Sequence, residues 1–164
     1  MFREMRRIKQ QLPNEECIEI LEIGTSGVLA LLGDDGYPYA VPLSYVYIDG
    51  RIIFHGAKSG HKLDAMCENE KASFCVINQD EIVPEKYTTR YRSVIAFGKM
   101  RVVQDEKEMM ELVDILAKKY RPGFEEEREK EIRIEFPGLC MMELTIEHMT
   151  GKEGLELLKE RNNG

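Results

Sequence analysis

The sequence contains no tryptophan, only three histidines, and four cysteines that are scattered without a CxxC pair. Residues Cys17, Cys67, Cys75 and Cys140 have no histidine near them at ligand spacing, and no carboxylate–histidine pattern is visible. These absences argue against a metal centre. Buried free thiols in a reducing cytosol are the expected state of the four cysteines.

An excess of positive charge is also missing. The 23 lysines and arginines are outnumbered by 30 aspartates and glutamates, which gives a formal charge of −7. Nucleic-acid binding needs a basic face, so this balance argues against such a partner. The longest apolar runs are strand-sized and leave no membrane span, and the charged start Met1–Arg7 is followed by no apolar signal-peptide region. We therefore expect a cytoplasmic protein whose 164 residues form a single domain, 1–164.

The sequence does contain repeated strand signals: short apolar or alternating segments separated by turn residues. The predicted strands are Gly27–Leu32, Tyr39–Ile48, Arg51–His55, Ala72–Ile77, Tyr91–Val103 and Cys140–Met149. Gly33–Gly36 and Asp49–Gly50 between them are typical of hairpin turns. Pro42 cannot donate a ladder hydrogen bond, so its strand should lie at a sheet edge or face a ligand. Gly98 within the fifth strand predicts a bulge or the close approach of another backbone.

Helical patterns flank these strands. They cover Phe2–Leu12, Glu15–Ile23, Gly60 to about Glu70, a helix that begins behind Asp105 and ends at Pro122–Gly123, and a C-terminal helix with Leu155 and Leu158 that follows a turn at Thr150–Lys152. The polar stretch Asn78–Arg90 is predicted to be a loop, and the charge run Glu125–Glu131 a solvent-facing helix or mobile loop. Six strands with few parallel crossovers favour a mostly β (α+β) fold, a small closed or half-closed antiparallel barrel with helices outside.

One stretch combines a strand with a candidate anion site. The strand Arg51–His55 leads into a helix for which Ser59 is the predicted N-cap, and Lys62 lies in its first turn. A helix start leaves backbone N–H groups unsatisfied at the positive end of the helix dipole, where phosphate binds readily. An ordinary capped connection between a strand and a helix gives the same pattern. His55 should point to the face opposite Phe54, hence outward if Phe54 is in the core.

The motif Phe54-His55-x-Ala57-x-x-Gly60-x-Lys62, preceded by Val41-Pro-Leu-Ser-Tyr-Val-Tyr47, resembles the pyridoxamine 5'-phosphate oxidase-like flavoproteins. It is most similar to their nitroimidazole-resistance branch. The similarity covers residues 27–103 and, more weakly, residues 146–152. It implies a six-stranded antiparallel split β-barrel with peripheral helices, a homodimer, and flavin mononucleotide (FMN) in two clefts between the subunits.

The resemblance also implies the residues that hold the flavin. The backbone of Tyr39–Ser44 would lie along the isoalloxazine ring, the segment from His55 to Lys62 would contact the phosphate and ribityl chain, and Ser93 would donate a polar side chain. The implied cofactor-binding residues are Val41, Pro42, Leu43, Ser44, His55, Gly56, Ala57, Ser59, His61, Lys62 and Ser93. No metal ligand is implied.

His55 has a second implied role near the reactive edge of the flavin, as a proton donor or substrate anchor. A strand histidine with a purely structural role is the alternative. The arginine–tryptophan substrate clamp of the oxidases proper is missing, since the chain has no tryptophan, and this argues against pyridoxamine phosphate oxidation. The expected function is that of an FMN-dependent oxidoreductase, which takes electrons from a donor and reduces a small organic acceptor such as a nitroaromatic or nitroimidazole. The alternative is a flavin-binding protein for storage or sensing without turnover.

Overall fold

The computed structural model describes residues 1–163. The strands are β1 (Gln11–Leu12), β2 (Ser26–Leu32), β3 (Pro38–Ser44), β4 (Val46–Ile48), β5 (Arg51–Ala57), β6 (Lys71–Val83), β7 (Thr88–Val102) and β8 (Leu139–Glu153). The helices are α1 (Asn14–Ile23), α2 (His61–Glu68), α3 (Glu106–Tyr120), α4 (Glu125–Glu135) and α5 (Leu155–Asn163).

The strands form one antiparallel sheet in the order β3-β2-β6-β7-β8-β5-β4, with β1 paired to β8. Although β3 and β4 are consecutive in the chain, they lie at opposite ends of this order. The sheet therefore curls until its two ends approach each other at Tyr45, the residue between them. It does not close, so the fold is an antiparallel split β-barrel with peripheral helices, a mostly β (α+β) fold as the sequence predicts.

Two hydrophobic cores cover the two faces of the sheet. Inside the barrel, the ring of Phe74 makes edge contacts with Phe54 (centroids 5.1 Å apart) and Tyr45 (4.9 Å), and α1 and α2 add apolar side chains to this core. On the outer face, Ile53 and Met141 pack against α3 and α4. Phe54 is thus inward, and its neighbours Ile53 and His55 point to the opposite face, as predicted from strand alternation.

The prediction of six strands is wrong, because residues 1–163 form eight. The predicted strand Tyr39–Ile48 breaks at Tyr45, whose side chain is fully buried and whose hydroxyl donates to the carbonyl of Leu21 (2.8 Å). Burial raises the pKa of this hydroxyl well above its usual range. The eighth strand is β1, which pairs with Gly151 and Lys152.

The predicted helix Phe2–Leu12 is also wrong. This segment contains a 3-10 turn at Ile8–Gln10 followed by β1, because long-range contacts outweigh its helix propensity. The buried amide of Gln10 donates to the carbonyl of Glu153 (2.7 Å). For the same reason Thr150–Lys152 is no turn: β8 continues through it to Glu153, paired with both β1 and β7.

The predicted loop Asn78–Arg90 is mostly a hairpin. Strands β6 and β7 pair out to Val83 and Thr88, with a register shift between Ile77 and Gln79, and a 3-10 turn at Pro84–Lys86 connects them. Its polar composition reflects solvent exposure of the hairpin, because β2 pairs with β6 only at Ser73–Cys75. The polar residues of this segment therefore indicate that the hairpin is exposed to solvent, and not that β6 and β7 are unpaired there.

Other local predictions are confirmed. Pro42 lies in an edge strand, since β3 pairs with β2 alone within residues 1–163. Gly98 marks a register shift between β7 and β8, and a Cβ there would overlap the carbonyl oxygen of Thr145. The helix predicted to begin behind Asp105 is α3, and the Asp105 carboxylate caps it by accepting the N–H of Glu108 (2.8 Å).

The cysteines differ in exposure. Cys17 and Cys140 are buried and Cys75 is half-buried, whereas Cys67 is exposed on α2, so the expectation of buried thiols is wrong for Cys67. Burial raises the pKa of the Cys17, Cys75 and Cys140 thiols, which keeps them in the neutral form.

Candidate functional site

The split in the barrel is a cleft between β3 and the end of β5. Strand β4 pairs with β5 only from Arg51 to Ile53, so within the described chain Phe54–Ala57 has β8 on one side and no strand on the other. The far edge of β3 is likewise unpaired. Two strand edges with free backbone N–H and C=O groups therefore border the cleft and can hydrogen-bond a ligand.

The start of α2 closes one end of this cleft. The N-cap is Gly60 and not the predicted Ser59, because Gly60 has φ of 121°, a conformation open to glycine that turns the chain immediately before the helix. No side chain in the described part of the chain caps this helix, and Ser59 is exposed. The N–H groups of His61 and Lys62 donate to no acceptor in residues 1–163. They remain available for an anionic ligand.

The side chain of Lys62 folds back from α2 against β5. Its Nζ lies 3.0 Å from the position that a Cβ on Gly56 would occupy, so the missing side chain at Gly56 makes room for the amine. Partial burial lowers the pKa of Lys62, an effect opposed by the nearby Cys140 thiol. Lys62 has no carboxylate within ion-pair distance among residues 1–163. A partly buried cation of this kind favours an anionic partner.

His61, on the exposed side of the same turn, contacts the β2–β3 hairpin. Its ring stacks on Tyr39 with centroids 4.1 Å apart, and its Nε2 lies 3.7 Å from a carboxylate oxygen of Asp34. This contact ties the start of α2 to β3 across the mouth of the cleft.

His55 and Ser44 both lie on the outer side of the split. Both line a cavity of about 330 Å³ whose other walls come from α3, α4 and the start of β8. Partial desolvation lowers the pKa of His55, and the positive charge of Lys62 lowers it further. The imidazole is therefore neutral at pH 7.

The remaining predicted residues separate into groups. The side chains of Val41 and Leu43 pack toward the barrel core and not toward the cleft, whereas Pro42, Ser44 and Ala57 are exposed. Ser93 is not brought to the site within one chain. Ser93 lies on β7, where it pairs with Ile77 of β6 and Lys152 of β8. In the sheet, β8 lies between β7 and β5.

Sequence reasoning missed the walls of the cavity. They are Val113, Leu116, Ala117 and Tyr120 of α3, Glu131, Ile132 and Glu135 of α4, and Leu139. The apolar stripe of α3 was visible in the sequence but indicates only a core-facing helix, and the charge run before Ile132 indicates a solvated one. No pattern in the sequence shows that the two helices leave a gap between them. Within residues 1–163, no three His, Cys, Asp or Glu side chains are arranged to hold a metal ion.

A family model described as pyridoxamine 5'-phosphate oxidase matches residues 13–153, from the start of α1 to the end of β8. The chain belongs to this family. The match contains both edges of the cleft, the start of α2 and the cavity walls. A comparison with curated proteins finds no significant match.

Solved structures share the family's fold with this chain. A proposed 5-nitroimidazole antibiotic resistance protein from Bacteroides thetaiotaomicron superposes with a TM-score of 0.72 at 18% identity, covering 87% of this chain and 86% of that one. An FAD and heme binding protein from Mycobacterium smegmatis gives 0.74 at 23% identity, with coverages of 89% and 74%. An FAD-binding protein from Mesorhizobium loti gives 0.63 at 24% identity, with coverages of 88% and 96%. No helix in the described part of the chain is long and apolar enough to cross a bilayer.

Proposed function

We propose that the protein binds FMN in the split of the barrel, with the phosphate at the start of α2. The observation that carries this proposal is the partly buried ammonium of Lys62, which has no carboxylate partner in residues 1–163 and belongs to the helix turn that has two free backbone N–H groups. One such cation and one helix N-terminus match a single terminal phosphate, which favours FMN over FAD. Membership of the family and the flavin-binding descriptions of two structural relatives support the proposal.

The isoalloxazine ring would lie along the free edge of β3, Val41–Ser44. Pro42 has no N–H, so this edge offers carbonyl groups to the ring without a competing donor at that position. The opposite wall is formed by the free edge of β5 from His55 to Ala57, with Ser59 and His61 beyond it. Bound FMN supplies the redox chemistry, while these residues orient it and limit its contact with water.

The proposed phosphate contact predicts the effect of Lys62→Ala. A charge-assisted contact contributes roughly 1.5 to 3 kcal/mol, so FMN affinity should fall by about ten- to a hundredfold. Titration of the apoprotein with FMN, followed by flavin fluorescence, measures the change. Lys107→Ala removes an exposed lysine from α3 and serves as a control with unchanged affinity. Equal affinities for the wild type and Lys62→Ala would show that the phosphate binds elsewhere.

We also propose that the protein is a homodimer. A homodimer needs an exposed apolar face, and Tyr45 cannot contribute to one because it is buried. The outer face of β2, β6 and β7 supplies the apolar surface instead, because Val28, Ile77 and Ile95 are exposed there. Ser93 is on the same face, so in a dimer packed through it Ser93 would face the partner.

The dimer proposal predicts the effect of a charge on this face. Ile95→Asp should convert a micromolar dimer to a monomer, because the carboxylate would be buried without a partner. Sedimentation velocity measures the change. Ile23→Asp places the same charge on an exposed position at the end of α1 and should leave the dimer intact. A wild-type monomer that retains FMN tightly would contradict both the dimer and a cleft shared between subunits.

For the chemistry, we propose an oxidoreductase that reduces a small organic acceptor such as a nitroaromatic compound, with His55 beside the reaction. His55 supports this proposal because it lies at the split and borders a cavity large enough for a small molecule. The alternative is flavin binding for storage or sensing. Stopped-flow reduction of the flavin-loaded protein by a nicotinamide donor, followed by reoxidation with an added nitro compound, separates the two. A protein that binds FMN but is reduced no faster than free FMN would support the alternative.

A further inference from the structure

The cavity beside His55 adjoins the proposed flavin cleft, with which it shares Ser44 and His55, but it extends to the other face of β5. Lys62 and Gly56 lie on the inner face of β5, whereas His55 points outward to the side covered by α3 and α4. At about 330 Å³ the cavity falls within the size range of small-ligand sites. Most of its lining is apolar, including the buried side chains of Leu116 and Ile132.

The polar groups that reach this cavity are few. The hydroxyl of Tyr120 is already used, because it accepts the N–H of Tyr45 (2.9 Å) and contacts the carbonyl oxygens of Tyr45 and Thr25. Its ring therefore contributes apolar surface. The groups left free to bind a ligand are the Ser44 hydroxyl, the His55 imidazole and the carboxylates of Glu131 and Glu135.

The two charged side chains that line the cavity, Glu131 and Glu135, are both acidic, and the positive charge of Lys62 acts on His55 from the other face of β5. Glu131 and Glu135 are one helical turn apart on α4 and flank Ile132. Neither carboxylate forms an ion pair within residues 1–163, and no lysine or arginine is among the lining residues. Two of the three basic residues of α4 pair with other carboxylates, since Arg128 contacts Asp114 (2.7 Å) and Arg133 lies 3.8 Å from Glu129. The third, Lys130, does not line the cavity. The lowered pKa of His55 leaves that side chain uncharged at neutral pH.

We propose that this cavity binds a small ring-bearing organic cation. The ring would pack among Leu116, Ala117 and Ile132, and the cationic nitrogen would lie toward Glu131 and Glu135. An anionic ligand of the same size would be repelled by the two carboxylates. The inference rests on the proposed function only in that such a ligand would lie beside the flavin, across β5 from the Lys62 site.

Three probes of matched size test the ligand class: 2-phenylethylamine, 2-phenylethanol and phenylacetate. In calorimetric titrations of flavin-loaded protein at pH 7.5, the amine should bind about three- to tenfold more tightly than the alcohol, and the acid most weakly. In the double variant Glu131→Gln/Glu135→Gln, amine affinity should fall to that of the alcohol while alcohol affinity stays unchanged. Glu126→Gln makes the same change at an exposed position of α4 outside the cavity and should have no effect.

A second variant tests the location. Ala117→Phe should fill the cavity and abolish binding of all three probes, with circular dichroism and bound flavin as checks of folding. If that variant does not fold, the surface substitutions at Glu131 and Glu135 still decide the matter. Equal affinities for the three probes, or an amine preference that survives the double variant, would overturn the inference. Release of flavin by the amine would also overturn it, by placing the probe in the flavin cleft. Amine binding by a protein that binds no flavin would instead contradict the proposed function and support this inference.

Discussion

His55→Gln should slow reduction of an organic acceptor by about 10²- to 10⁴-fold, the range associated with loss of a general acid or base. FMN content and oligomeric state should stay unchanged. The reason is geometric: His55 points away from the core into the cavity, and the proposed phosphate contact, Lys62, is on the other face of β5. Because the side chain is exposed, its replacement disturbs no packing in either core.

The pH dependence gives a second readout of the same variant. Proton donation requires the imidazolium form, and desolvation together with Lys62 holds the pKa of His55 below its ordinary value of 6.5. The wild-type rate of acceptor reduction should therefore rise as the pH falls below 6.5, whereas the rate of His55→Gln should stay flat. Stopped-flow reoxidation of reduced enzyme from pH 5 to 8 measures both profiles.

His148→Gln is the matched control for that experiment. His148 lies on the outer face of β8, stacked on Phe2 (centroids 4.6 Å apart), and does not line the cavity. Its rate and pH profile should match those of the wild type once sedimentation shows the same oligomer. Equal loss of flavin and activity in His55→Gln would make His55 a cofactor ligand, and an unchanged rate would make it a structural histidine.

Gly98→Ala should destabilise the protein by about 3 kcal/mol, at the upper end of the usual cost of overpacking. A Cβ at this position would overlap the carbonyl oxygen of Thr145 on β8. That atom is backbone and cannot rotate away, so β7 and β8 must separate at the bulge. This pair of strands lies in the middle of the sheet, and separating it disturbs the inner core on both sides.

Urea unfolding followed by circular dichroism measures the loss, and Gly138→Ala is the control. A Cβ on Gly138 would meet no atom within 4 Å, so this variant should stay within about 0.5 kcal/mol of the wild type. Identical unfolding midpoints for the two variants would show that the bulge adjusts to a side chain and that glycine is not required there.

The sequence predicts those parts of the site that depend on neighbouring residues. The outward direction of His55 follows from strand alternation once Phe54 is placed in the core, and the edge position of β3 follows from the missing N–H of Pro42. The position of Lys62 at the start of a helix follows from the pattern behind it. Each of these features is set within a few residues, where propensity and periodicity act.

The features that were missed depend on contacts between distant segments. The break at Tyr45 depends on hydrogen bonds to Leu21 and Tyr120, far away in the chain. The segment that ends at Leu12 is not helical throughout, because Gln11 and Leu12 pair with Lys152 and Gly151 of β8. The cavity is a gap between α3 and α4, and a gap has no signature in either helix. The N-cap of α2 was missed for a local reason. Gly60, with a positive φ, takes the cap position that was predicted for Ser59.

The hydroxyl of Tyr120 has a consequence for the shape of the whole barrel. This hydroxyl accepts a hydrogen bond from the N–H of Tyr45, the residue at which the chain passes from one end of the sheet to the other. Without this hydrogen bond, β3 and β4 could form one continuous strand, and the free edges of β3 and β5 could pair by backbone hydrogen bonds. A barrel closed by that pairing would have no cleft. The hydroxyl of Tyr120 on α3 therefore helps to keep the cleft between β3 and β5 open. Because Tyr120 also lines the cavity, the same side chain shapes both the cleft and the cavity.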